Sequence, residues 1–328
     1  AMSNQAARRA SWSRYWAGGH LHSCAGSFDG NYDGAIGAFW RSVFASLGHQ
    51  DRVLDIATGN APLPQLLLSA RAADPASLPR VDAVDLAEVN PAWLARLIPP
   101  VRERLRVQGG IAAEALPFAD HSFDLIVSQY GIEYSDLARS AAEVVRVRKP
   151  GGKVALVLHH PQSLPVRLGR AEVAHIDWLL AAGGLFDRAR RLIPYLARLG
   201  TPAGAASVQR DPEATKVRTR FNESMRALEQ RAQAEPAPDL LLEMQAALGQ
   251  VLGATAQSGE RAARERLQSL VDGLGEARLR QAELVAHALD RPGVERLARS
   301  LQPAPGAAID MGELRIRDEL FGWSLRVG

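Results

Sequence analysis

Between residues 51 and 160, short apolar runs alternate with stretches of helical pattern, and few folds satisfy that alternation. Residues 52–57, 80–86, 106–113, 122–129 and 153–159 read as strands, and 62–73, 92–104 and 136–148 as helices. The strand runs are continuous rather than alternating, Val154 to Leu158 being the clearest, which fits strands covered on both faces. Strands separated by helices predict a parallel sheet built from right-handed crossovers. Strand-like sequence returns between 308 and 327, where 312–317 and 322–327 are expected to pair antiparallel. The fold class is therefore α/β: a mostly parallel seven-stranded sheet with an antiparallel last strand.

The flanking sequence differs in kind. Residues 1–50 are rich in aromatics, with Gly18, Gly19, Gly26, Gly30 and Gly34 marking irregular backbone. A short helix is expected over 8–16. Another is expected over 36–47, where Ile36, Phe39, Trp40, Val43, Phe44 and Leu47 share one face. Residues 161–300 lack β-branched runs and predict helices at about 171–199, 212–234, 238–255 and 259–290, with Pro202, Pro236, Pro238 and Pro292 as breaks. Leu267, Leu270, Val271 and Leu274 form a stripe suited to packing on another helix or a second subunit, so a homodimer through this region is one expectation. Four segments follow: 1–50, an aromatic lid and first helix; 51–160, the core; 161–305, a helical insertion; and 306–328, a closing hairpin.

Composition sets bounds on this layout. With 328 residues, 47% of them hydrophobic and 23% charged, the chain is folded and too long for one ordinary domain. Cys24 is its only cysteine, which excludes a disulfide scaffold. No apolar stretch is long enough for a membrane helix, and the start lacks a basic-then-apolar leader pattern; a cytoplasmic protein is expected. Lys149, Lys153 and Lys216 are the only lysines among 39 basic residues, a bias typical of GC-rich bacterial coding sequence. The net charge of +3 does not call for a nucleic acid partner. Residues 187–231 carry ten basic against five acidic residues, with only Tyr195 and Phe221 interleaved, which reads as a solvated helix face.

The candidate chemistry lies at strand ends. The first strand runs into Asp55-Ile56-Ala57-Thr58-Gly59-Asn60-Ala61, a glycine turn whose following helix presents free amides to a ligand. Asp85 closes the second strand, where an acid can accept hydrogen bonds from both hydroxyls of a ribose. Together they point to a nucleoside ligand without naming it. The later run Ala112-Ala113-Glu114-Ala115-Leu116-Pro117-Phe118, then Ser122-Phe123-Asp124, then Glu143-Val144-Val145-Arg146-Val147-Arg148-Lys149-Pro150-Gly151-Gly152, resembles the class I S-adenosylmethionine-dependent methyltransferases, in particular the small-molecule subgroup of ubiquinone and menaquinone biosynthesis. The resemblance covers about residues 50–160 and implies a Rossmann-like, doubly wound sheet.

It also implies S-adenosylmethionine as cofactor and S-adenosylhomocysteine as product. Asp55, Ala57, Gly59 and Asn60 would hold the methionine end. Asp85 would bind the ribose, and Leu86 would pack on the adenine. Ala113 would offer its amide to the adenine, and Ser128, Gln129 and Tyr130 would border the methyl group and the acceptor. Tyr15 and Trp16 would contact the cofactor from an N-terminal lid. Two departures stand out. Ala57 and Ala61 replace the outer glycines of the family turn, which is tolerated as long as neither position needs a positive φ. Ala112 replaces the acid that contacts the adenine amino group, with Glu114 as a substitute.

For catalysis, His159 and His160 at the end of the fifth strand are candidate general bases, and Tyr130, Glu133 and Tyr134 are candidate acceptor contacts. His20, His22 and Cys24 make a poor zinc set, and no metal is expected. The function read from the sequence is methyl transfer to an O, N or C atom of a small-molecule acceptor under a helical cap. A methyltransferase of RNA or protein, and a catalytically silent cofactor-binding protein, stand as alternatives.

Overall fold

The computed structural model describes residues 2–23, 28, 30–71, 74–302 and 306–328 and divides into two compact units, residues 1–167 with 283–328, and residues 168–282. Cys24 and Gly26 lie outside the described residues.

The first unit is built on a seven-stranded sheet: β1 (Arg52–Ile56), β2 (Arg80–Val84), β3 (Leu105–Gln108), β4 (Phe123–Gln129), β5 (Arg148–Leu158), β6 (Ile309–Ile316) and β7 (Glu319–Val327). The strand order is β3-β2-β1-β4-β5-β7-β6. β1 to β5 run parallel, and β7 pairs antiparallel with both β5 and β6. This is the fold class that the strand pattern and closing hairpin predict. From β1 the chain winds out through β2 to β3, then returns to place β4 on the other side of β1. That reversal opens a crevice beyond the carboxyl ends of β1 and β4, the usual ligand position in such sheets.

Strand residues alternate between two cores. Val53, Val81, Leu125, Val127 and Val157 face one side, packed with Ile36, Trp40 and Phe44 of α2 (Gly34–Phe44) and Leu63 and Leu67 of α3 (Pro62–Ala70). Leu54, Ile56, Ile126, Leu156 and Leu158 face the other, with Val144 and Val147 of α5 (Leu137–Val147) and Val294, Leu297 and Leu301 of α12 (Arg291–Leu301). Asp136 caps α5, its carboxylate accepting from the amides of Ala138 (3.1 Å) and Arg139 (3.2 Å).

The departures from the sequence pattern trace to proline and glycine. The helix expected over 92–104 is a 3-10 turn, Ala92–Arg96, followed by the single-turn α4 (Pro99–Arg102). Pro99 and Pro100 cannot donate the bonds that would join them. The helix expected over 171–199 is two, α6 (Leu164–Leu179) and α7 (Leu185–Arg198), parted where Gly183 takes φ +70°. Pro202 and Pro292 open helices rather than only ending them, the first α8 (Pro202–Gln209) and the second α12, because the first turn needs no amide donor there. The first helix, α1 (Met2–Ala17), is longer than expected.

The second unit is all helical, holding most of α6 and α11 (Thr255–His287) with α7, α8, α9 (Pro212–Ala234) and α10 (Asp239–Gly253). Gly259 breaks the helical backbone of α11 near its start. Leu267 and Leu274 are buried in this unit's own core with Phe186, Ile193 and Leu248, and Leu270 and Val271 pack against it. The stripe on α11 is thus spent within the chain. A cleft between α7, α9 and the start of α11 is lined by six arginines, of which Arg190, Arg198 and Arg264 pair with Asp187, Asp211 and Glu260. No helix among the described residues is long and apolar enough to cross a membrane.

Leu267→Ala removes a side chain that is 1% exposed. It is expected to lower the stability of the helical unit by about 2–5 kcal/mol in urea unfolding without changing the oligomeric state by light scattering. A change of oligomeric state at unaltered stability would place the stripe on an external interface instead.

Candidate functional site

The turn after β1 is held by β2. The amide of Thr58 donates to the carbonyl of Val84 (3.0 Å), and the amide of Gly59 donates to the Asp85 carboxylate (2.7 Å). The other Asp85 oxygen accepts from the amide of Ala87 (2.8 Å). Two backbone donors thus fix the carboxylate while leaving each oxygen a further lone pair. Asp55 lies below the turn and accepts from the Thr58 hydroxyl (2.5 Å). Both acids are almost fully buried. Burial pushes the Asp55 carboxyl up to about 8, opposed by the Thr58 hydroxyl and reinforced by the neighbouring Asp85. Burial raises Asp85 to about 6, and the two amide donors moderate the rise.

Gly59 has φ +55°, and a Cβ there would meet the Trp16 ring at 2.6 Å, so only glycine fits beneath that indole. Ala57 (φ +57°) and Ala61 (φ +58°) also take left-handed backbone. The condition on which the sequence tolerated these alanines is therefore not met, and both hold strained conformations.

An open pocket lies over the carboxyl ends of β1, β2 and β4. Of the expected residues it gathers Ala57, Asp85, Leu86, Ala113, Glu114, Gln129, Tyr130 and Trp16, with Tyr134. Thr58, Ile111, Tyr32 and His22 complete the wall, and Arg8, Arg9 and Trp12 of α1 also line it. Glu114 additionally accepts from the amide of Asp136 (2.9 Å).

The remaining expected residues sit behind this wall. Asp55 and Gly59 brace the turn. The Asn60 side chain donates to the carbonyls of Trp16 (2.9 Å) and His20 (2.6 Å), tying the end of α1 to the turn. The Ser128 hydroxyl donates to the Ile56 carbonyl (2.7 Å) and accepts from the Ile132 amide (3.1 Å). Tyr15 stacks on His20 and donates to the His22 carbonyl (3.2 Å) rather than lining the pocket.

Neither His159 nor His160 lines the pocket. Glu133 accepts at one oxygen from both the His159 amide (3.0 Å) and its Nδ1 (2.8 Å), with both side chains buried. The His159 ring stacks on Tyr130 at 4.3 Å and meets Tyr134 edge-on at 6.0 Å. His160 packs on Trp323 and accepts from the Gln162 amide (2.9 Å).

α1 lies along the pocket and is secured on both sides. Arg8 donates to Glu283 (2.9 Å) and to the Tyr134 carbonyl, with His287 at 3.1 Å, and Arg9 pairs with Glu88. Trp12 and Trp16 stack at 5.5 Å. Arg8, Arg9, Trp12, Tyr32 and His22 were not singled out as pocket residues by the sequence. Aromatic enrichment of the first fifty residues was the available signal for the tryptophans; nothing local marks the others. His20 and His22 stack on different partners, Tyr15 and Tyr32. No cluster of three metal-ligating side chains occurs among the described residues.

Among the described residues, His22 Nδ1 and Gln129 Nε2 of the wall are buried without a hydrogen-bond partner from another residue. The Gln129 oxygen is taken by the indole N–H of Trp40.

The fold is a doubly wound α/β domain with a pocket beyond the carboxyl ends of its central strands. Residues 54–156 match the family described as "Methyltransferase domain", in keeping with the resemblance to class I S-adenosylmethionine-dependent methyltransferases over this stretch. The chain is 43% identical over 65 residues to the uncharacterized methyltransferase YcgJ of Bacillus subtilis (strain 168), covering 20% of this chain and 25% of that protein. It is 30% identical over 130 residues to the ubiquinone/menaquinone biosynthesis C-methyltransferase UbiE of Xylella fastidiosa (strain 9a5c), covering 36% and 47%. The crystal structure of the Bacillus subtilis YcgJ protein aligns over 43% of this chain and 58% of that one, at 25% identity and a TM-score of 0.30. The chain spans less than half the length of the two curated relatives.

Two predictions concern the turn. Because Asp55 holds its proton to about pH 8 when folded, whereas an unfolded aspartate releases it near 4, the folded state binds the extra proton in between. Stability from this group is present at low pH and is lost as pH rises from about 4 to about 8. Asp55→Asn is expected to melt near the wild-type temperature at pH 4 but to be more stable at pH 8, by an amount on the order of a few kcal/mol. Parallel melting curves across that range would sink the assignment. Ala57→Gly relieves a left-handed alanine and is expected to gain up to about 1 kcal/mol in thermal unfolding, against no gain if the turn is unstrained.

Proposed function

We propose that this protein transfers the methyl group of S-adenosylmethionine to a small-molecule acceptor. The observation that carries the reading is the Asp85 carboxylate, fixed by the Gly59 and Ala87 amides at the mouth of the methyltransferase-type domain. The residues present fit the cofactor. The free lone pairs of Asp85 suit the two ribose hydroxyls. Leu86, Ile111 and Ala113 give the apolar wall that an adenine needs. The Gln129 amide N–H, without a partner among the described residues, leaves a polar position for a ligand atom. Asp55, Gly59 and Asn60 act behind the wall in this reading, shaping the turn and anchoring the end of α1.

When bound, the cofactor supplies an already activated methyl group. The protein's part is then alignment and exclusion of water. Trp12 and Trp16 cover the pocket with apolar surface. The buried Glu133–His159 pair positions Tyr130 and Tyr134 and does not itself touch the acceptor. A small acceptor is supported by the side chains of α1, Arg8, Arg9, Trp12 and Trp16, which line the same pocket as Asp85.

Asp85→Ala is expected to weaken S-adenosylhomocysteine binding roughly 10- to 100-fold by calorimetry, as loss of charge-assisted hydrogen bonds of about 1.5–3 kcal/mol requires. Binding within threefold of wild type by a folded variant would remove the ribose role. Tritium transfer from labelled cofactor to candidate acceptors tests the activity directly.

A further inference from the structure

The cleft of the second unit gathers more positive charge than its carboxylates answer. On α7, Asp187, Arg190, Arg191, Pro194, Tyr195 and Arg198 recur every three to four positions and so share one face over about three turns, roughly 16 Å. Val217 and Arg220 of α9 and Arg264 of α11 close the cleft from the other sides. In sequence the basic excess of 187–231 reads as a solvated helix face. In the fold, faces of three helices converge and turn it into a concave surface. Arg190, Arg198 and Arg264 are spent on Asp187, Asp211 and Glu260, and Glu213 of the cleft pairs with Lys216. Arg188, Arg191 and Arg220 also line the cleft, and none of them has a carboxylate partner among the described residues.

These three lie together. The Arg188 guanidinium is fixed by three donated bonds, from Nε to the Gly183 carbonyl (3.1 Å) and from Nη1 to the Arg220 carbonyl (2.9 Å) and the Ser224 hydroxyl (2.8 Å). It is thereby seated on the α9 backbone at Arg220, and its Nη2 stays uncommitted among the described residues. Arg191 stands one turn further along α7. Neither its side chain nor that of Arg220 has a hydrogen-bond partner among the described residues. Like charges held in one cleft repel, and a bound anion relieves the repulsion.

The donors select the anion. A guanidinium is a planar fork that takes phosphate oxygens two at a time. One phosphate monoester carries a charge of about −1.5 to −2 and leaves the third arginine unanswered, whereas two linked phosphates answer all three. A single-stranded nucleic acid needs aromatic surface for its bases. Tyr195, the one aromatic ring among the described lining residues, is covered by the Arg198 guanidinium at 4.8 Å.

We infer that this cleft binds a diphosphate group, free or esterified, through Arg188, Arg191 and Arg220. The inference concerns the helical unit alone and does not depend on the methyltransferase reading.

Calorimetry of the full chain at about 0.15 M salt is expected to show inorganic pyrophosphate binding more tightly than about 1 mM. Arg191→Gln and Arg220→Gln alter exposed side chains and leave the helices intact. Each is expected to lose about 10-fold in pyrophosphate affinity, the loss that a missing charge-assisted hydrogen bond brings. Arg9→Gln, in the pocket of the first unit, is expected to bind as wild type does. A short alkyl diphosphate that binds more tightly than pyrophosphate identifies an ester as the ligand's source, and the reverse order identifies the free anion; both support the site. Wild-type protein that binds neither probe overturns the inference, as does full affinity in both cleft variants or a loss confined to Arg9→Gln. Oligoglutamate binding as tightly as pyrophosphate would replace the phosphate ligand with an acidic peptide. An RNA oligonucleotide that binds more tightly than either diphosphate, with a salt slope well beyond three phosphates, would replace it with nucleic acid.

Discussion

Two carboxylates buried under one turn set the terms for the rest of this site. Asp55 and Asp85 end adjacent parallel strands, and the register that pairs β1 with β2 brings them beneath the same five-residue loop. Among the described residues neither pairs with a cation; hydrogen bonds from Thr58, Gly59 and Ala87 hold them instead. Such an arrangement stabilises charge poorly, and the raised pKa values of both acids express that. It also leaves Asp85 as an acceptor that a hydroxyl-bearing ligand can satisfy better than the empty protein does.

The strained alanines extend this logic. Ala57 and Ala61, both in left-handed backbone, flank the Gly59 amide that donates to Asp85. Glycine would adopt it freely, and alanine pays with local strain. The Ala57 methyl also explains Gly131, where a Cβ would lie only 2.4 Å from it. The turn and the loop after β4 are therefore packed against each other, and a change in one is felt by the other.

How much of this was legible in the sequence depends on range. Strand positions, their order class and the closing hairpin followed from apolar runs and glycine–proline punctuation, because these are local patterns read over a few residues. Asp85 was legible from its place after a strand, and Leu86 and Ala113 only through the family resemblance; all three line the pocket. Proline was misread where one residue type has two opposite uses: Pro99 interrupts a helix while Pro202 and Pro292 start one. The candidate bases were placed wrongly in emphasis for another reason. His159 stands at the right strand end, but Glu133, 26 residues earlier, turns its ring onto Tyr130 instead of into the pocket. Nothing local signals that pairing.

His22 shows the converse. In the sequence it stood beside His20 and suggested only a weak metal set, with no indication of which way either ring would face. What gives it a chemical identity is a carbonyl eight residues later, two aromatic rings that clamp it, and a pocket wall completed by strands a hundred residues away. The bond from Nε2 to Gly30 and the rings of Tyr32 and Phe28 hold this histidine, and none of these contacts follows a helical or strand period that local sequence could reveal.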